Sequence, residues 1–307
     1  MGNQFRTALL LGALTVLIMV FGQVLGGRQG MVIALIFAAG MNFFSYWYSD
    51  KIVLRMYRAE EIDARNSSNL YEIVKQLSQR AGLPMPRVYR IPQEAPNAFA
   101  TGRNPEHAVV AVTDGLLKMM NKDELRGVLA HEMAHIKDRD ILIGSIAATM
   151  AGAIMLLASM ARWSAIFGGM RNDGEGGGRG IIGLIAMSVI APLAAMVVQM
   201  AISRSREYLA DRVGGDISQN PEGLARALEK LGAYSRRIPM AANPSTAHMF
   251  IVNPLSGGGI AHLFSTHPPI EERVARLRGQ VSARTAPEIA GDAGQAQGRA
   301  FWDRLSR

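Results

Sequence analysis

The chain has 307 residues, 49% of them hydrophobic and only 19% charged, with a mean hydropathy of +0.11. That is too apolar for an ordinary soluble enzyme and points to membrane spans. The net charge of +8 comes without an aromatic-and-basic RNA motif, so positive flanks of membrane spans account for it better than nucleic acid does; the absence of cysteine excludes a disulfide framework and a thiolate metal site.

Thr7 to Gly26 is apolar and uncharged, between Arg6 and Arg28. It exceeds the roughly 7–15-residue apolar core of a signal peptide, and no A-x-A-like cleavage site follows, so it reads as a first span. Met31 to Tyr48 reads as a second, ending in Phe43, Phe44, Tyr46, Trp47 and Tyr48, residues suited to a membrane interface. The glycine-rich join from Gly26 to Gly30 makes the two a helical hairpin. Lys51 to Arg90 is polar and mixed in charge. Within it, Asn69 to Arg80 carries Leu70, Ile73, Val74 and Leu77 on one face and stops before Gly82 and Pro84, the pattern of an amphipathic helix on a soluble core. Pro86 to Ile91 alternates as a short strand. Ala95 to Gly102 (APNAFATG) reads as a turn and an exposed segment. His107 to Thr113 (HAVVAVT) is a second strand, either plain core or an edge that pairs with an extended substrate through Val109, Val110, Ala111 and Val112.

Asn121 to Asp140 (NKDELRGVLAHEMAHIKDRD) holds the H-E-x-x-H pattern. Asn121 followed by Glu124 marks a helix start. His131 and His135, four apart, project from one face and can meet one zinc ion. Glu132 is placed to take a proton from an activated water rather than to ligate. Ile141 to Ala161 reads as a third span, Phe167 to Gly180 as a flexible loop, and Ile181 to Ile202 as a fourth span kinked at Pro192. Near the span ends, Arg6, Lys51, Arg55, Arg58, Lys137, Arg139, Arg204, Arg206 and Arg212 fall on one side, and Arg28, Arg162, Arg171 and Arg179 on the other. That imbalance puts the motif and both termini in the cytoplasm. The expected organisation is a hairpin at 1–48, a first catalytic part at 49–140, two spans at 141–203, a second catalytic part at 204–284 and a flexible tail at 285–307.

A catalytic zinc needs a third protein ligand and an open position. The metzincin pattern requires a glycine at position 138 and a histidine at 141, where this chain has Asp138 and Ile141. Ser203 to Asp211 (SRSREYLAD) places Glu207 and Asp211 on one helical face: Glu207 as third ligand and Asp211 as support for a ligand histidine, or a helix surface with Arg–Glu pairs. His248 and His262 read as loop histidines. His267, in STHPPIEER, reads as a ligand, a transition-state hydrogen-bond donor or a helix cap. Asn220 to Leu231 reads as a capped amphipathic helix.

The order of these features resembles the HtpX family of membrane zinc proteases: a two-span hairpin, NAFATG, a Val-rich strand, HEMAH, two spans, SRSREYLAD and STHPP. It is more distantly similar to the CAAX-prenyl proteases, which have more spans. The resemblance covers Arg6 to about Arg278. It implies a bacterial inner-membrane endopeptidase that cleaves misfolded or damaged membrane proteins from the cytoplasmic side, overlapping in role with an ATP-dependent membrane protease. It implies one zinc per chain on His131, His135 and Glu207, Glu132 as acid/base, Asp211 in support and Asn97 in the substrate-strand segment; the role of His267 as a catalytic hydrogen-bond donor carries over less directly. The expected fold class is α+β: a mostly helical membrane protein with four transmembrane helices and a cytoplasmic zincin-like domain carrying a small β-sheet. Partners are protein substrates and the lipid bilayer, with no nucleic acid. A non-catalytic structural zinc site and a CAAX-type processing peptidase stay open as alternatives. A transporter predicts ionisable residues inside the spans, and there are none.

Overall fold

A computed structural model describes residues 3–65, 68–147, 149, 204–237, 249–251 and 268–285. Helix α1 (Asn3–Met56) is two helices joined at Gly26 and Gly27, where helical geometry breaks. Gly27 has φ 59 and ψ −146, a backbone that glycine adopts without steric cost. The chain doubles back there. Gly22 packs directly on Gly30, and Asn42 Nδ2 donates to Thr15 Oγ1 at 2.9 Å, so the two halves lie antiparallel. Their outward faces stay apolar, with Leu9, Val16, Val20, Ile33, Ile36 and Phe37 exposed. Among the described residues, Gly26–Met56 is long and apolar enough to cross a membrane, while Thr7–Gln23 is apolar but shorter. The expected third and fourth spans and the loop between them lie outside the described residues, except for helix α5 (141–147). Its Ile143, Ile146 and Ala147 pack on Leu10 and Leu14 of α1.

Four strands form one sheet in the order β1-β2-β4-β3: β1 (Glu60–Ile62), β2 (Arg87–Ile91), β3 (Ala98–Thr101) and β4 (Val109–Thr113). β2 and β4 run parallel, and β1 and β3 run antiparallel to their neighbours. β4 is buried along its whole length because both faces of the sheet are covered. Val110 and Val112 share a core with α2 (Ser68–Ala81) and α4 (Lys122–Lys137), where Leu70, Ile73, Val74 and Leu77 are buried as their periodicity requires. Val109 and Ala111 pack instead with Val53 and Leu54 at the end of α1. Helices α3 (Asp114–Met119), α6 (Arg204–Ser218), α7 (Pro221–Arg237) and α8 (Ile270–Thr285) complete the described fold. α6 and α7 pack on α4, and α8 packs on α7. The protein is mostly helical, with a small mixed sheet.

Two expectations change. Ala95 to Gly102 is not an exposed segment: it contains β3, with Ala98, Phe99 and Thr101 buried. Nor is the Val109, Val110, Ala111, Val112 strand an edge. β4 has β2 on one side and β3 on the other, so its backbone groups are taken and cannot pair with a substrate. The sheet's edges are β1 and β3, and β3 is the one that packs beside α4. Thr113 N donates to Asn97 O at 2.9 Å, which fixes the alternation of the antiparallel pair. Ala98 and Ala100 therefore turn their N–H and C=O groups away from β4.

Candidate active site

Helix α4 begins with a reciprocal cap. The Asn121 side chain accepts from Glu124 N, and the Glu124 carboxylate accepts from Asn121 N, each at 2.9 Å. From this start His131 and His135 fall one turn apart, with their Nε2 atoms 3.2 Å from each other. Glu207 comes from α6: its Oε2 lies 3.8 Å from His131 Nε2 and its Oε1 lies 3.7 Å from His135 Nε2. Glu207, Asp211 and Gly214 share one face of α6 at i, i+4 and i+7. Gly214 lies so close to α4 that a Cβ there would stand 2.8 Å from His131 Cα. The missing side chain is what lets the two helix backbones approach and brings the carboxylates of α6 to the histidines.

Each imidazole has a carboxylate behind it. Asp140 holds His135 Nδ1 at 3.1 and 3.2 Å. It reaches back because the chain turns sharply after α4: Arg139 has φ 56, and Asp140 N donates to His135 O at 3.2 Å. Asp211 Oδ1 lies 3.0 Å from His131 Nδ1, a contact short in distance but too bent for a well-formed hydrogen bond. Asp211 is itself gripped by Arg273 of α8, whose Nε and Nη2 donate to its two oxygens at 2.8 and 2.7 Å. Arg273 is fully buried. Its Nη1 donates to Ile251 O at 3.1 Å and lies 3.7 Å from Glu207 Oε2.

The electrostatics follow from this crowding. With both Nδ1 atoms turned to carboxylates, both Nε2 lone pairs converge on one point. That point is where one metal ion could be held. Burial pushes the His135 imidazole down, but Asp140 and Glu207 outweigh it and raise its pKa to about 10. Burial likewise pushes the Asp211 carboxyl up, and Arg273 with His131 overcomes that, holding it at about 2. Glu132, between the histidines in sequence, is raised above the usual carboxylate range, chiefly by burial. Its Oε2 accepts from Ala100 N at 2.8 Å, one of the outward N–H groups of the β3 edge. His131, Glu132, His135, Asp140 and Glu207 line a cleft of about 80 Å³, walled by Phe99, Ile141, Met249 and Phe250.

The donor set fits a metal ion. One atom from each of His131, His135 and Glu207 lies within 4.8 Å of the others. Ligands at 2.0–2.1 Å in tetrahedral directions stand about 3.3 Å apart, close to the separation of the two Nε2 atoms. Residues 63–281 match peptidase family M48. The chain belongs to peptidase family M48. It is a metal-dependent peptidase. Along its whole length it is also similar to the protease HtpX homolog of Desulforapulum autotrophicum, at 65% identity over 99% of this chain and 100% of that one. The corresponding protein of Desulfatibacillum aliphaticivorans is 60% identical over the same shares. The crystal structure of Ste24p from S. mikatae has a similar fold, with a TM-score of 0.50 at 18% identity; the match covers 90% of this chain and 64% of that one.

For the M48 chain, the structure brings His131, Glu132, His135 and Glu207 to one cleft, with Asp211 buried behind His131. Asn97 is buried behind the cleft wall, 2% exposed, with its Oδ1 accepting at 3.3 Å from the N–H of Ile251, which lines the cleft. His248, His262 and His267 lie outside the described residues. Sequence reasoning passed over Asp140 and Arg273. Asp140 borders an apolar run, so nothing in the local pattern singles it out, though an acid five residues after the second histidine is within reach of a helix-ending turn. Arg273 sits in a helix whose neighbours Glu271 and Glu272 are charged, so nothing in the local pattern marks it as buried.

Proposed function

We propose that this M48 peptidase is a zinc-dependent endopeptidase of the bacterial inner membrane that cleaves misfolded or damaged membrane proteins on the cytoplasmic side. The observation that carries the chemistry is the convergence of two imidazole Nε2 atoms and one carboxylate beside a second, buried carboxylate. Two nitrogens and one oxygen from protein suit zinc with an open position. Zinc on His131, His135 and Glu207 would supply Lewis acidity toward the scissile carbonyl and toward a water.

The rest of the work falls to the chain. Glu132 takes the proton of the attacking water as the new C–O bond forms, then delivers it to the amine nitrogen as the C–N bond breaks. Its raised pKa suits it to both halves of that cycle. Asp140 and Asp211 orient the two imidazoles, and Arg273 neutralises the excess of buried carboxylate. The substrate runs extended along the outer edge of β3, where Ala98 offers its N–H and C=O and Ala100 its C=O, the Ala100 N–H being held by Glu132. His267 is a candidate donor to the developing oxyanion, and Asn97 braces Ile251 in the cleft wall.

The membrane part of the proposal is supported by the exposed apolar faces of the α1 hairpin and the charge imbalance across the expected spans. Both termini are cytoplasmic in this reading, and spans three and four follow α5. Glu132→Gln should retain zinc and lose cleavage of a membrane-protein substrate, whereas Glu207→Ala should lose zinc. Cleavage by Glu132→Gln at the wild-type rate would sink the acid/base assignment. Orientation is checked by cysteine labelling near residues 28 and 51 from each side of sealed vesicles.

A further inference from the structure

A second cavity lies away from the cleft, where the hairpin meets the sheet. Its volume is about 430 Å³, and its lining includes Trp47, Tyr48, Lys51, Arg87, Arg103 and His107. Its walls come from the end of α1, the start of β2 and the loop between β3 and β4. Three cations face it against one lining carboxylate, Asp50, and that carboxylate is already engaged by Arg87 Nη2 at 3.0 Å. The other two cations are held by rings. Arg103 Cζ sits 4.7 Å over Trp47, and Lys51 Nζ sits 5.3 Å over Tyr48. Among the described residues no carboxylate forms an ion pair with Lys51 or Arg103. Arg103 Nη2 contacts His107 Nε2 at 2.6 Å, and His107 Nδ1 contacts Asn104 Oδ1 at 2.7 Å. Neither contact brings a carboxylate to Arg103.

The cavity's place along the hairpin bears on what it can bind. From Gly27 to Trp47 the helix rises about 30 Å at 1.5 Å per residue, the thickness of a hydrocarbon core. Phe43 and Phe44 remain exposed just before it, an aromatic girdle at the level of lipid headgroups. We infer that Lys51 and Arg103, framed by Trp47 and Tyr48, bind the phosphate of an anionic lipid at the junction of hairpin and catalytic sheet. Acyl chains would run along Phe43 and Phe44, which favours a lipid over free phosphate. The inference rests on the membrane reading above.

The test uses the purified full-length protein in bilayer nanodiscs and in detergent. Native mass spectrometry should show phosphatidylglycerol retained over phosphatidylcholine, and the double variant Lys51→Gln/Arg103→Gln should weaken that preference at least about tenfold. Arg103→Lys with Lys51→Arg should keep it, and Lys75→Gln, an exposed cation on α2, should not alter it. Equal retention of phosphatidylglycerol by wild type and the double glutamine variant overturns the site. Displacement of phosphatidylglycerol by millimolar inorganic phosphate overturns the lipid as its ligand. Insertion into phosphatidylcholine bilayers with no headgroup preference sinks this inference alone; failure to insert into either bilayer sinks the membrane reading and this inference with it.

Discussion

Replacing Arg273 with methionine removes a fully buried guanidinium and leaves two carboxylates, Asp211 and Glu207, without their cation. Losing one partner of a buried ion pair costs about 3–5 kcal/mol. The depression of the Asp211 pKa from 3.8 to about 2 is an independent gauge, on the order of 2 kcal/mol. The pKa is lowered in the folded state, so this stabilisation is complete above the unfolded value and disappears as pH falls through about 2. In Arg273→Met the carboxyl should titrate far higher, and the metal-free protein should lose stability on mild acidification that wild type tolerates. Thermal melting of the metal-free protein in detergent at neutral pH should show a fall on the order of 5–15 °C, and zinc affinity should drop about 10–100-fold because His131 loses its oriented carboxylate. The double variant Asp211→Leu/Arg273→Met removes both charges. It should recover part of the melting temperature without recovering zinc affinity. Melting within 2 °C of wild type and unchanged zinc affinity in Arg273→Met would refute the account of this network.

Zinc uptake near pH 7 should release about one proton per chain, since metal-free His135, with a pKa of about 10, must lose its proton to ligate; affinity should rise with pH up to that value, and calorimetry in buffers of different ionisation enthalpy measures the release. Gly214→Ala should push α6 off α4, costing about 1–3 kcal/mol and lowering zinc stoichiometry, while Gly279→Ala, where a Cβ meets nothing within 4 Å, should do neither. Asp140→Asn should cut zinc affinity about 10–100-fold with little loss of helix content by circular dichroism; unchanged affinity would remove Asp140 from the site. Asn121→Ala breaks the reciprocal cap of α4 and should cost about 1 kcal/mol, read as a lower melting temperature with peptidase chemistry intact.

The parts of this fold that were legible in the sequence are those coded by local spacing. The cap at Asn121 and Glu124, the stripe of α2 and the pairing of Glu207 with Asp211 on one helical face all follow from helical periodicity. The approach of α6 to α4 was not legible, because a glycine at 214 acquires its meaning only when a second helix crosses it. Sheet order is non-local in the same way. Val109 to Val112 reads as a strand from composition, but whether it is flanked on one side or two depends on where β2 and β3 land. β3 itself was hidden because its run of small residues, Ala98 and Ala100 around Phe99, carries little strand signal. Arg273 was hidden because its partner Asp211 lies 62 residues away.

In the proposed membrane arrangement, Ser145 gives the cleavage site a fixed altitude. Its hydroxyl meets Thr101 Oγ1 at 2.6 Å and accepts from Gly102 N at 3.3 Å, so the end of the β3 edge is riveted to the first turns of α5. If α5 continues into the bilayer, the peptide groove cannot rise or sink relative to the lipid. The enzyme then works as a ruler: a peptide bond too near the bilayer stays uncut however loosely its owner is folded, and lengthening the exposed stalk of a resistant client should expose it to cleavage.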